Sequence, residues 1–276
     1  MTMMIEPTVP AMPGNHGDQR VTQARVIRSE WTKLRSLPSS AWSLLVAAVL
    51  IVGFGALYAG VRVTRPPQQP ADIASFDPTA ISLGGVQLAQ LAIGVLGALL
   101  FTGEYATGTI RTSFAAVPRR LPVLWGKAIG FALAVLTLCV PATLAAFLVG
   151  QSILSSEHLD TTLRQPGTTR AVLGAALYLA AVGLLGLGLG ALLRGTAAAI
   201  GALLGLLFAP QILVEFLPST WSDHIYGYLP APAGIAITNL RPDPTSLAPW
   251  AGFGVFCLYT AVLLALAAWR LRRRDT

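Results

Sequence analysis

The run GEYATGTIR at 103–111 places an acid, two glycines and an arginine directly after one of the longest apolar stretches of the chain. These residue types can do chemistry, and their placement narrows which chemistry. Glu104 stands at the carboxyl end of an apolar helix, where the helix dipole disfavours an acid by about 0.3–1 kcal/mol, so it calls for a cation. Arg111 is seven residues on, roughly 10.5 Å along a straight helix, and so out of reach unless the chain bends at Gly108. A short helix-like run, TIRTSFAAV, follows and is closed by Pro118, Arg119 and Arg120. Pro122 then opens the approach to the next apolar run. So short and charged an excursion suits the docking of another protein; the plainer alternative is an interfacial turn whose charges set topology.

Other polar groups inside the apolar runs are sparse. Gln87 and Gln90 lie three apart on one helical face, where the default role is an interhelical hydrogen bond of about 0.6–2 kcal/mol and the alternative is lining a route for a substrate. Glu215 falls near the end of its run, placed either to snorkel to the interface or to serve a pathway. Together with Gln211 these are the candidates for a translocation path. Catalysis finds no footing. Lys127 in WGK belongs to no phosphate-binding loop, H-E-x-x-H and G-x-S-x-G are missing, and His158 and His224 fall outside the apolar runs. Cys139 and Cys257 lie within such runs, without metal-ligand spacing, and read as buried thiols. No metal or cofactor is expected on this chain, and it is not expected to be an enzyme.

The elements that must position these residues follow from composition. Hydrophobic residues fill 54% of 276 positions and charged ones 11%, too little charge to coat a globule of this size in water. Runs of about the 20 apolar residues that a ~30 Å hydrocarbon core requires recur at 41–61, 81–102, 128–150, 171–193, 196–217 and 249–269. The expected fold is therefore all-α and integral to the membrane, with six spans. The alternating pattern of an outer-membrane barrel is absent. Gly186 with Gly190, and Gly201 with Gly205, form small-residue steps for helix packing, and Pro141 and Pro210 are placed to kink spans three and five.

Of the 19 Lys and Arg residues, only Arg62, Arg65, Arg164, Arg170 and Arg241 fall in the loops after spans one, three and five. That asymmetry sets both termini and the 103–127 segment on the cytoplasmic side. The net charge of +7 is thus mostly an orientation signal, and nucleic acid is excluded as a partner because no soluble domain offers a basic face. Residues 1–20 read as a disordered tail and 21–276 as one membrane domain. Over 22–37, Ile27, Trp31 and Leu34 share one helical face while Arg25, Arg28 and Arg35 gather opposite, which predicts an amphipathic helix at the lipid interface. Glu30 falls near its apolar arc, either pairing with Lys33 or touching a partner protein. Within 218–248, IYGYLPAPAGIAI is apolar but too short and too broken by Pro230 and Pro232 to span, which predicts a re-entrant or interfacial outer segment before span six.

Three features carry a resemblance: SEWTKLRS at 29–36, GEYATGTIRTSFAAVPRR at 103–120 with Lys127 beyond it, and six spans with an apolar broken segment before the last. In these the chain resembles the permease subunits of type-2 ABC exporters of high-GC Gram-positive bacteria. The resemblance implies a multi-pass protein of the bacterial cell membrane, paired with a second copy or a sister permease. It also implies a separate ATPase subunit that holds the ATP and magnesium. Glu30 and Trp31 would belong to a connecting helix beside the ATPase, and Glu104 to the charged end of span two. Arg111 through Pro118 would form a coupling helix, with Gly108 as its bend and Arg119 at its close. Spans two and five would face the dimer axis, bringing Gln87 and Gln90 near the route. The apolar walls suit a lipid-like, amphipathic or drug-like cargo. Two other classes stay open: a non-transporting membrane anchor or regulatory subunit, and a proton-coupled carrier using Glu104 or Glu215.

Overall fold

The structure, a computed structural model, describes residues 38–65, 76–106, 108, 120–241 and 245–273. The tail 1–20, the amphipathic stretch with Glu30 and Trp31, and Arg111, Pro118 and Arg119 lie outside the described residues. Among those described, six helices are long and apolar enough to cross a membrane, and no strand occurs.

Span one is α1, Pro38–Thr64. The second apolar run, read from the sequence as one helix from residue 81, is two. Asp77 caps a short helix α2, Pro78–Ser82, its Oδ1 accepting from the Thr79 and Ala80 amides at 2.9 and 3.1 Å, and Pro78 supplies a preset φ at the first helical position. A turn through Gly84 and Gly85 leads into α3, Val86–Ala106, which is span two proper. Only glycine fits at 85, because a Cβ there would stand 2.3 Å from the Leu50 carbonyl oxygen of α1. Span three, α4, runs Arg120–Leu154 and continues through Pro141. It starts two turns before the apolar run does, with Pro122 in its first turn, where a missing N–H costs nothing.

Spans four, five and six are α5 (Thr168–Leu193), α6 (Thr196–Val214) and α9 (Pro249–Arg273). Between the last two come the short helices α7 (Ser219–Ile225) and α8 (Pro230–Ile235), with 3-10 turns after each. The apolar segment around Pro230 and Pro232 folds here. Residues Pro230 to Gly234 and Ala236 to Thr238 are buried against α5, α6 and α9. Gly252 of α9 makes room for them, since a Cβ there would meet the Ala233 carbonyl oxygen at 2.7 Å.

Helix α5 is the axis of the bundle. It touches α3, α4, α6 and α9, and 83% of its most apolar stretch is buried, against 22% for α1 and for α6. Its composition explains the position: in lipid no hydrophobic force draws helices together, so close backbone approach through small residues decides the pairing. The seam with α3 is built that way. A Cβ on Gly97 would lie 2.0 Å from the Gly183 carbonyl oxygen, one on Gly186 would lie 2.2 Å from that of Gly94, and one on Gly190 would lie 2.6 Å from that of Ala98. Helix α1 packs instead on α4 and α3, while α6 rests on α3, α5 and α8 with only Ala199, Leu203, Leu207 and Val214 buried.

Candidate coupling site at the end of the second span

Glu104 and Tyr105 occupy the last turn of α3, which stops at Ala106. Gly108 takes the left-handed region at φ 71°, its N–H donating to the Tyr105 carbonyl at 3.3 Å, a backbone conformation that glycine supplies at helix ends. The cation that Glu104 requires comes from α4. Lys127 Nζ donates to Glu104 Oε1 at 2.6 Å, with the lysine 1% and the glutamate 18% exposed. Lysine is among the residues least often buried unless paired, and here the pair closes the chain on itself across the whole excursion between α3 and α4.

Tyr105 reaches the other way. Its ring packs on Phe101 with centroids 5.9 Å apart, and the Arg194 guanidinium lies 5.2 Å above it, within the range of a cation–π contact. Arg194 closes α5 in a left-handed conformation, φ 64°, its amide bonded to the Gly190 carbonyl at 2.9 Å. Gly195 is the only residue between it and α6. Two further bonds tie this end together. The Thr196 hydroxyl donates to the Thr102 hydroxyl at 3.1 Å, and Arg270 Nη1 of α9 donates to the Leu192 carbonyl of α5 at 2.6 Å. The single turn Thr102 to Tyr105 therefore contacts α4 and both sides of the α5–α6 link.

The remaining polar residues lie at the opposite end of the bundle. Gln90, 1% exposed, donates through Nε2 to Gln87 Oε1 at 3.1 Å, and its own Oε1 accepts from the Tyr178 hydroxyl of α5. The Tyr178 ring stacks near Phe256, centroids 5.4 Å apart, and Gly234 of α8 sits over both. Gln87 is exposed. Gln211 turns back to the Leu207 carbonyl of its own helix at 2.7 Å, and Glu215 is exposed at the carboxyl cap of α6. Gly94 faces Leu203 and Thr102 meets Thr196 across antiparallel α3 and α6, so Gln87 and Gln211 share one level. The structure brings Gln87 and Gln90 together and leaves Gln211 and Glu215 on a separate helix at the same end.

The family model for ABC-2 family transporter proteins matches residues 32–276, nearly the whole chain. This chain belongs to the ABC-2 transporter family. It is the permease component of an ABC transporter, a multi-pass protein of the cell membrane. ABC-2 permeases are transport components and not themselves catalytic, and they work with an ATPase and as oligomers. No curated protein matches the chain.

Within this ABC-2 permease, sequence reasoning found Glu104 and its need for a cation but missed Lys127, Tyr105 and Arg194. In the sequence Lys127 stands just ahead of an apolar run, 23 residues from Glu104, with nothing local to pair the two. Because α4 begins at Arg120, Lys127 is instead two turns inside a helix, where a charged side chain must find a partner.

Proposed function

We propose that this permease is moved by a separate ATPase subunit gripping residues 107–119 from the cytoplasm, and that it exports lipid-like, amphipathic or drug-like molecules. The observation that carries this reading is the ion pair of Glu104 with buried Lys127, which ties span two to span three next to that segment. The chain has no phosphate-binding loop, so work has to enter through contact. Two spans joined to each other at that end would move together under a displacement applied there. The distribution of Lys and Arg supports a cytoplasmic Glu104 end and cytoplasmic termini.

In this reading ATP and magnesium reside on the ATPase and no cofactor binds this chain. Glu30, Trp31, Arg111, Pro118 and Arg119 add to the docking face. A second copy or a sister permease completes the path, with Gln87, Gln90, Gln211 and Glu215 supplying polar groups near its outer end. Closure of the ATPase dimer tilts the attached helices and switches access from inside to outside, a rigid-body change between two packings.

The test is co-purification of the ATPase with the permease, followed by ATP-driven movement of a fluorescent phospholipid analogue in proteoliposomes. The wild-type chain is expected to recruit the ATPase, and Arg111→Ala to weaken that association about tenfold, the equivalent of ~1.4 kcal/mol. Transport by the chain without any nucleotide-hydrolysing companion would overturn the proposal. So would labelling of a cysteine placed within 103–120 by an impermeant reagent added outside the cell.

A further inference from the structure

The link between α5 and α6 is unusual in what it is made of. Two residues, Arg194 and Gly195, join two membrane-long helices, and it is the arginine, not the glycine, that takes the left-handed conformation. That backbone region suits glycine or asparagine at a helix end and disfavours every side chain with a bulky Cβ substituent. Glycine at 194 would ease the turn, so the guanidinium does something that ease of turning does not supply. It lies over the ring of Tyr105, in the last turn of α3 and three residues before Gly108, which takes the left-handed conformation.

The two sides of the link are held differently. On the α5 side, Arg270 of α9 grips the Leu192 carbonyl, and the helix behind it is locked to α3 by backbone contact at Gly97, Gly186 and Gly190. On the α6 side the helix presents most of its length outward, with 22% of its apolar stretch buried. A displacement applied to the Arg194 side chain therefore meets a helix locked within its own chain on one side and, on the other, one with few contacts inside that chain, whose outward face is left for a second copy. The helix with fewer contacts in its own chain yields.

We propose that the Tyr105–Arg194 contact carries movement of the 107–119 segment directly to the hinge between spans four and five, so that both are positioning residues for the swing of span five. This rests on the reading that an ATPase drives the permease through that segment. The Thr196–Thr102 hydrogen bond keeps the start of span five within reach of the same turn of α3. Span three, held by Lys127, is then a separate branch of the same input.

The experiment uses the assembled permease–ATPase complex in a Cys139→Ser, Cys257→Ser background, with nitroxides on Ile129 of α4 and Ala198 of α6, both exposed. Interspin distances are measured without nucleotide and after trapping with ATP and vanadate. The wild-type complex and Tyr105→Phe, which keeps the ring, are expected to show a nucleotide-driven shift. Tyr105→Leu and Arg194→Gly are expected to lose it while trapping nucleotide at the wild-type level, and the double variant to lose nothing more. Arg194→Gly discriminates further: as a relieved turn it melts at or above the wild-type temperature, whereas a merely structural arginine would leave a less stable protein.

A full shift in Tyr105→Leu, with the ATPase assembled, overturns the link alone. Lowered melting of Arg194→Gly together with lost nucleotide trapping overturns it as well. Failure of the wild-type chain to assemble with any ATPase overturns the proposed function, and this link with it.

Discussion

Glu104 shows how far a single side chain can be read. Its place at the carboxyl end of an apolar helix demands a cation, and that demand was legible in the sequence. Its partner was not, because Arg111 is the nearer cation in sequence while the lysine lies 23 residues away, and only the early start of α4 brings that lysine inward. The same geometry fixes what substitutions do. Lys127→Ala leaves a carboxylate beside a vacated, buried site and is expected to cost about 3–5 kcal/mol. Replacing both partners by neutral side chains of similar size, Glu104→Gln with Lys127→Met, is expected to cost much less. Thermal melting in detergent across the double-mutant cycle checks this, and a loss in the double variant equal to the sum of the two single losses would show that the pair is not coupled. At the far end, Tyr178→Phe removes the donor to Gln90 and should cost about 0.6–1.7 kcal/mol by the same measurement, the usual range for hydrogen bonds between membrane helices.

Among the helices, glycine spacing proved legible and glycine role did not. The steps Gly186/Gly190 in α5 and Gly201/Gly205 in α6 look identical in the sequence, each a pair of small residues one turn apart. In the fold the first pair presses on the backbone of α3, while Gly201 and Gly205 have nothing within 4 Å of where a Cβ would stand. Spacing reports that a helix can be approached closely; it does not report by what. Gly97→Ala and Gly186→Ala should therefore force α3 and α5 apart and destabilise by roughly 1–3 kcal/mol. Gly201→Ala should change stability by no more than about 0.5 kcal/mol. Melting temperatures of the three variants separate these expectations, and a neutral Gly186→Ala would mean that the seam is looser than its backbone distances indicate. The break between α2 and α3 belongs at this scale too. The chain stayed apolar across it, so hydropathy alone saw one span where Asp77, Pro78 and the Gly84–Gly85 turn make two pieces.

At the scale of the whole molecule, six spans followed directly from apolar run length, because a lipid core imposes that length on any helix that crosses it. Which span stands at the centre did not follow, since a helix facing lipid and a helix facing other helices are equally apolar. The result is lopsided: α5 is enclosed while α6 turns Ala197, Gly201, Gly205 and Ala209, spaced four apart along one face, to the exterior. In the proposed dimer that face is where a second copy would approach, since small residues in register permit the close backbone contact that drives association in lipid. Leucine is apolar and fits a lipid-facing position, so Gly201→Leu and Gly205→Leu should leave melting of the single chain unchanged. A bulky side chain between two backbones cannot be tolerated in the same way, so both variants should weaken pairing, read as a fall in energy transfer between donor- and acceptor-labelled chains diluted into lipid vesicles. Unchanged transfer in both variants would place the contact between copies elsewhere, with the outward face of α1 next in line because its apolar stretch is as little buried as that of α6.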